Sequence, residues 1–189
     1  MNKKITEFLI KTNVITTDEV ELYQYGFDLT VKKVIHVLVI LLIGHIGGHF
    51  LGMVSFLIAY ICLREYAGGY HARTTKGCYC CTVIVTLAVL AMLFIFRQLN
   101  DGVICICMLI SGSVIWRQAP QETPSKPLSE IEKALYGKQA RKNLLRTGIL
   151  FGIGYCINRE IAAGVVSAWM VQMIMLFMGR CFSKNIRYS

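Results

Sequence analysis

Charge is scarce in this chain of 189 residues: Asp, Glu, Lys and Arg make up 16% of it, against about 25% in an ordinary soluble domain. From Val34 to Leu63, 30 consecutive residues carry no charge of either sign. A run of about 18 such residues already reads as a membrane span, because lipid tolerates a backbone only when its polar groups are satisfied within a helix or a closed barrel. Proline is down to three residues, all between Pro120 and Pro127, so no proline interrupts the apolar runs. There is no internal repeat and no low-complexity tract. The first 33 residues hold five Lys and five acids without an early apolar run or cleavage pattern, so no removable signal peptide is expected. These absences exclude disordered, collagenous and ordinary soluble chains and leave an integral membrane protein.

Cysteine, by contrast, is plentiful: eight residues, at 62, 78, 80, 81, 105, 107, 156 and 181. Several fall within apolar runs, where a free Cys packs as a small hydrophobe, and so apolar a chain does not suit a secreted disulfide framework. The 30-residue run would be about 45 Å long as one helix, too long for a hydrocarbon core of about 30 Å. Gly44, Gly47 and Gly48 near its middle divide it into two short spans. Further apolar runs cover Cys78–Phe96, Gly102–Trp116, Thr147–Ile157 and Ile161–Gly179. The expected fold is therefore all-α, with about six transmembrane helices. The fifth, with only 11 uncharged residues, is expected to be partial or re-entrant.

Loop charge orients these spans. Lys and Arg total 18 in residues 1–33, 64–77, 117–146 and the C-terminal tail, against two in the alternate loops. Basic residues collect on the cytoplasmic side, so both termini and both longer loops are predicted to be cytoplasmic. This placement and anionic lipid account for the net charge of +9. No nucleic-acid motif accompanies it, and nucleic acid is not an expected partner. Residues 1–33 read either as amphipathic helices on the membrane surface or as a short soluble cap over the loops, with Ile5, Phe8 and Leu9 on one face, a capping box at Thr16 and Glu19, and Val20, Tyr23, Phe27, Val31 and Val34 lining one side after it. A second capping box, Ser129 and Glu132, opens a basic helix with Lys138, Arg141 and Lys142 at helical spacing. That helix reads either as a dock for an acidic peptide or lipid headgroups, or as a solvated positive-inside face.

One loop has the ingredients for chemistry: Arg64-Glu65-Tyr66-Ala67-Gly68-Gly69-Tyr70-His71-Ala72-Arg73-Thr74-Thr75-Lys76-Gly77-Cys78. A thiol becomes a useful nucleophile when a base or a nearby cation stabilises its thiolate. His71 is placed to be that base, and Gly68-Gly69 permits the backbone angles that fold the loop back. His71 with Cys78, Cys80 and Cys81 is also a soft-ligand set of the kind zinc favours, although the usual two-residue gap between paired cysteines is missing. His45 and His49 have helical spacing but no acidic companion in the sequence, and read as interfacial or structural. His36 reads as a packing residue.

The Arg64-x-x-Ala67-Gly68-Gly69-Tyr70-His71-Ala72 segment, with Cys78 at the head of the next span, resembles the accessory gene regulator protein B (AgrB) family. Ala119-Pro120 and Lys126-Pro127-Leu128 in the second basic loop support the likeness, as do the chain length and the charge pattern. The resemblance implies a single membrane domain over residues 1–189, with a catalytic cytoplasmic loop at 64–77 and a basic one at 117–146. It implies a membrane cysteine endopeptidase of Gram-positive quorum sensing, in the cell membrane, with Cys78 as nucleophile and His71 as general base. The implied partner is a small precursor peptide of the accessory gene regulator protein D type, cut on its C-terminal side and closed into a thiolactone or lactone. Homodimers are implied too. Arg64, Gly69, Lys126, Lys138, Arg141 and Lys142 become substrate-binding or supporting residues, and no metal or cofactor is expected. A non-enzymatic peptide binder or exporter and a His/Cys zinc protein are the alternatives. Gly48-x-x-x-Gly52 and Gly148-x-x-x-Gly152 are candidate sites of close helix approach, within the chain or across a dimer.

Overall fold

Six helices follow from the apolar runs and from local capping signals. The structure, a computed structural model, describes Thr16 and residues 19–70, 74–122 and 128–186. The helices are α1 (Val20–Ile46), α2 (Phe50–Ala67), α3 (Thr75–Gln98), α4 (Asp101–Gln118), α5 (Glu130–Ile157) and α6 (Arg159–Ile186). The chain divides into two compact units, residues 1–40 and 41–189. Among the described residues, five helices (α1, α2, α3, α4 and α6) are long and apolar enough to cross a membrane. The protein is an all-α, multi-pass integral membrane protein.

Capping sets the helix starts. The Thr16 backbone N–H and hydroxyl both donate to Glu19, at 3.0 and 2.9 Å, which holds its carboxyl below the usual range; the Glu19 N–H turns to the Thr16 carbonyl at 3.1 Å, so only half of the predicted box forms. From there α1 runs as one helix of 27 residues, in which the apolar face from Val20 enters the first span without a break. The Ile5, Phe8 and Leu9 face lies outside the described residues. The turn between the first two spans falls at Gly47–His49, with Gly48 at φ +72°, as the glycines predict. Asn100 caps α4 through Gly102 N–H at 2.8 Å, and Ser129 with Glu132 forms the full capping box of α5.

The fifth span departs from expectation. Residues Thr147–Ile157 are not a separate re-entrant piece but the second half of the 28-residue α5, which begins at Glu130. The predicted basic helix and the short span are thus one rod. Its buried residues Gly137, Ala140, Asn143, Leu144, Thr147 and Gly154 recur at helical spacing, so one stripe packs inward along its whole length.

Within residues 41–189, α6 is the central element and packs on α2, α3, α4 and α5. Small residues make this possible. At Gly164 a Cβ would run into Ser55 and the Gly52 carbonyl of α2, and Gly112 of α4 lies against the Trp169 ring. Gly52 therefore works within the chain and Gly48 is the turn residue, whereas a Cβ added at Gly152 would find nothing within 4 Å. The buried hydroxyls of Thr86 and Ser167 bond back to their own helices at 2.7 and 2.8 Å. Trp169 Nε1 donates to Thr147 Oγ1 at 3.0 Å, so these buried polar groups are satisfied.

His49 also departs from expectation, because it does have an acidic companion. Its Nδ1 lies 3.0 Å from Glu160 Oε1, at the start of α6. The two residues are 111 positions apart, so no local spacing displayed the pair.

Candidate active site

α2 ends in a loop whose backbone is gripped from three directions. Arg64, on the last turn of α2, reaches forward: its Nη1 donates to the Gly68 carbonyl at 2.7 Å and its Nη2 to the Tyr70 carbonyl. From α6, Gln172 Nε2 donates to the same Gly68 oxygen at 2.9 Å, and the Met175 carbonyl accepts the Tyr70 N–H at 2.9 Å. From the second loop, the Gln121 N–H donates to Ala67 O at 3.0 Å, setting Gly68 and Gln121 side by side in a parallel bridge.

The two glycines are required by this geometry. Gly68 has φ +73° and Gly69 φ +116°, angles that L side chains rarely adopt. A Cβ on Gly69 would also stand 2.6 Å from Arg64 Nη1 and 3.0 Å from the Met175 carbonyl oxygen. The guanidinium therefore lies where only a glycine leaves room. Hydrogen bonds to a charged donor contribute roughly 1.5–3 kcal/mol each, enough for Arg64 to dominate the loop's conformation.

Cys78 sits across this loop on the first turn of α3. Thr74 caps the helix, its Oγ1 accepting the Gly77 N–H at 3.1 Å, and its carbonyl accepts the Cys78 N–H at 3.0 Å. No acidic residue occupies that first turn, so the positive end of the helix dipole is left uncancelled beside the sulfur. Cys78 and Cys80 are exposed and Cys81 is half-buried. Tyr60, Arg64, Cys78 and Cys81 lie near enough to interact electrostatically. The fold thus brings Arg64, Gly69 and Cys78 to one end of the bundle. His71 and Lys126 lie outside the described residues, and with His71 goes the ligand set of the zinc alternative.

The second loop is anchored as well. The Ala119–Pro120 peptide is cis, and the Pro120 ring packs against Gly137 of α5, where a Cβ would be 3.2 Å from the ring. Lys133 joins Glu122 at 2.6 Å and Glu130 at 2.7 Å. Hydrogen bonds to Glu122 first and Glu130 second raise its ammonium above the ordinary lysine range. Lys138, Arg141 and Lys142 are exposed on α5. Arg141 stands over the Trp116 ring at 5.4 Å, so it is partly committed to that contact.

Gln172, Gln121 and Met175 were not legible as site residues. Met175 and Gln121 act through their backbones, which sequence does not advertise. Gln172 did leave a signal: it is the one amide in the apolar run from Ile161 to Gly179, and a polar side chain within a span marks a functional or packing demand. It is fully buried.

A multi-pass helical membrane protein with a pinned Gly-Gly loop facing an exposed helix-start cysteine defines the class. The chain belongs to the accessory gene regulator B family, whose profile matches residues 2–176. It is 25% identical over 177 residues to an AgrB-like protein of Clostridium perfringens, covering 93% of each chain. To the accessory gene regulator protein B of Staphylococcus aureus strain MW2 it is 26% identical over 152 residues, covering 80% of this chain and 79% of the other. To an AgrB-like protein of Listeria innocua it is 29% identical over 155 residues, covering 81% and 70%. No solved structure matches the chain.

Proposed function

We propose that this protein is a membrane cysteine endopeptidase that processes a quorum-sensing precursor peptide of the accessory gene regulator protein D type. The observation that carries the reading is the exposed Cys78 on the first turn of α3, beside a loop that Arg64 holds in one shape and that leads directly into His71. In this mechanism His71 takes the proton from the Cys78 thiol, and the sulfur attacks the scissile carbonyl. The tetrahedral intermediate collapses as His71 returns the proton to the departing amine. The C-terminal tail leaves and the rest of the peptide remains as a thioester on Cys78. An internal Cys or Ser of the peptide then attacks that thioester, closing the ring and releasing the Cys78 thiol. Exchange of one acyl thioester for another is close to isoenergetic for a Cys attack, and a site at the membrane surface limits competing hydrolysis.

In this reading Arg64 and Gly69 support the loop, and Lys126, Lys138, Arg141 and Lys142 attract the precursor's acidic tail. The termini and both longer loops face the cytoplasm, and the protein works as a homodimer in the cell membrane. The test is cleavage of the cognate precursor by variants. Cys78→Ala should abolish it and His71→Ala should do the same, while a Cys80→Ala, Cys81→Ala double variant should retain most of it. Full cleavage by Cys78→Ala would favour a peptide binder or exporter served by another protease.

A further inference from the structure

At the end of the bundle away from Cys78, the start of α2, the last turns of α3 and the start of α6 enclose a cavity of about 480 Å³. That volume lies within the range of roughly 300–1,000 Å³ usual for ligand pockets. Leu93 and Phe96 give it an apolar wall, while Arg97, Arg159 and Glu160 supply charge. Beside it, His49 is almost wholly buried and stacks edge-on with Phe94 at 4.4 Å between ring centres.

The polar groups of this cavity are incompletely used. Arg159 spends Nη2 on the Leu99 carbonyl and on Asp101 at 2.9 Å. Its Nε is buried with no hydrogen-bond partner, and Arg97 has no partner among the described residues. Arg97, exposed at the mouth, and Arg159, whose side chain is 41% exposed, put two positive charges at the cavity, and these favour an anionic oxygen ligand. Glu160 sets a second condition. One of its oxygens is held by His49, and its side chain keeps 24% exposure, so its carboxylate opposes a purely anionic ligand and favours one that also offers an N–H or O–H. The rim sets a third. Phe50, Phe94, Ile95 and Ile157 are exposed apolar side chains near the same helix ends, the surface that lipid covers in a multi-pass protein.

We propose that this cavity binds the headgroup of a membrane phospholipid. The phosphodiester lies against the Arg97 and Arg159 guanidiniums, a terminal hydroxyl or ammonium donates to Glu160, and the acyl chains leave over the apolar rim. Glycerol- and ethanolamine-type headgroups meet all three conditions. A choline headgroup has no N–H or O–H for Glu160 and meets only the first and third. The site is independent of the Cys78 chemistry, so the two stand or fall separately.

The test uses the purified full-length protein in detergent, titrated with phosphatidylglycerol or phosphatidylcholine and read by thermal shift and by lipid retention in native mass spectrometry. Phosphatidylglycerol should bind at about tenfold lower concentration than phosphatidylcholine. Arg97→Gln should weaken both lipids alike, Arg97→Lys should keep part of that binding, Glu160→Ala should remove the preference, and Arg117→Gln, at the other end of the bundle, should leave both unchanged. The lipid-free melting temperature of each variant reports whether it is folded. Water-soluble glycerophosphoglycerol should protect far less than the lipid; equal protection would mean a free phosphodiester site and overturn the lipid assignment. Equal binding of the two lipids, an unchanged preference in folded Glu160→Ala, or unchanged binding in folded Arg97→Gln, would overturn the site itself.

Discussion

Gln172, in the middle of α6, donates its Nε2 hydrogen to the carbonyl of Gly68 at 2.9 Å, across 104 residues of sequence. The same oxygen receives Arg64 Nη1 at 2.7 Å, so one loop carbonyl is shared by an amide from the central helix and a guanidinium from the preceding one. The segment leading to His71 is therefore built into the bundle rather than hung from it. A peptide bond presented at Cys78 would meet a preset backbone, which lowers the ordering cost of the reactive arrangement.

Arg64 should be intolerant of replacement. Arg64→Ala removes two charge-assisted hydrogen bonds, and at roughly 1.5–3 kcal/mol each the loss of even one predicts about a tenfold to hundredfold fall in cleavage. Arg64→Lys should recover little, because a point ammonium cannot span the Gly68 and Tyr70 carbonyls as the planar fork does. Cleavage kinetics on folded variants check this; near wild-type rates for Arg64→Lys would show that charge alone suffices.

Two glycines should respond in opposite ways. Gly69→Ala combines φ +116° with a Cβ 2.6 Å from Arg64 Nη1, and such strain costs about 1–3 kcal/mol. Gly152→Ala sits in a helix with nothing within 4 Å and should be neutral or stabilising by up to about 1 kcal/mol. Thermal unfolding in detergent compares them, and equal melting temperatures would contradict the geometry at Gly69.

Charge reversal on α5 separates docking from solvation. Lys138→Glu, Arg141→Glu and Lys142→Glu together should weaken precursor binding and raise KM more than they change kcat. Higher salt should act in the same direction on wild type, since exposed charges are screened over about 8 Å at physiological ionic strength. Arg141 should contribute least of the three, because it already stands over Trp116 at 5.4 Å. Unchanged binding by the folded triple variant would make this face a solvated one.

The proposed topology rests on the split of 18 basic residues to two. On a cysteine-free background, single cysteines at Gly48 and Asp101 should label from outside intact cells, and those at Lys126 and Arg187 should not. Outside labelling at Lys126 would turn the Cys78 end away from a cytoplasmic precursor.

The helical architecture was readable because lipid simplifies the code: uncharged length, glycine breaks and capping signals located α1 to α4 and α6, although α1 begins at Val20 rather than Val34 and α6 runs past Gly179 to Ile186. It was misread at α5, where charged and apolar stretches share one helix. α5 starts among Glu130 and Glu132 and ends in the apolar run to Ile157, and a hydropathy boundary inside a continuous helix looks like two elements. At the candidate site, Arg64, Gly69 and Cys78 could be proposed together from sequence because one short segment carries them. Gln172, Gln121 and Met175 come from two other elements, and the His49–Glu160 pair joins residues 111 positions apart. Such partners are set by packing, and no local pattern encodes them.

Whether Cys78 is the nucleophile can be settled by covalent capture. Wild-type protein should be mixed with its precursor, quenched in acid and analysed by peptide mass spectrometry. The expected product is an adduct on Cys78 with the mass of the tail-less peptide, removable by hydroxylamine as thioesters are, and absent from Cys78→Ala. An adduct on Cys80 or Cys81, or turnover of precursor by Cys78→Ala, would contradict the assignment.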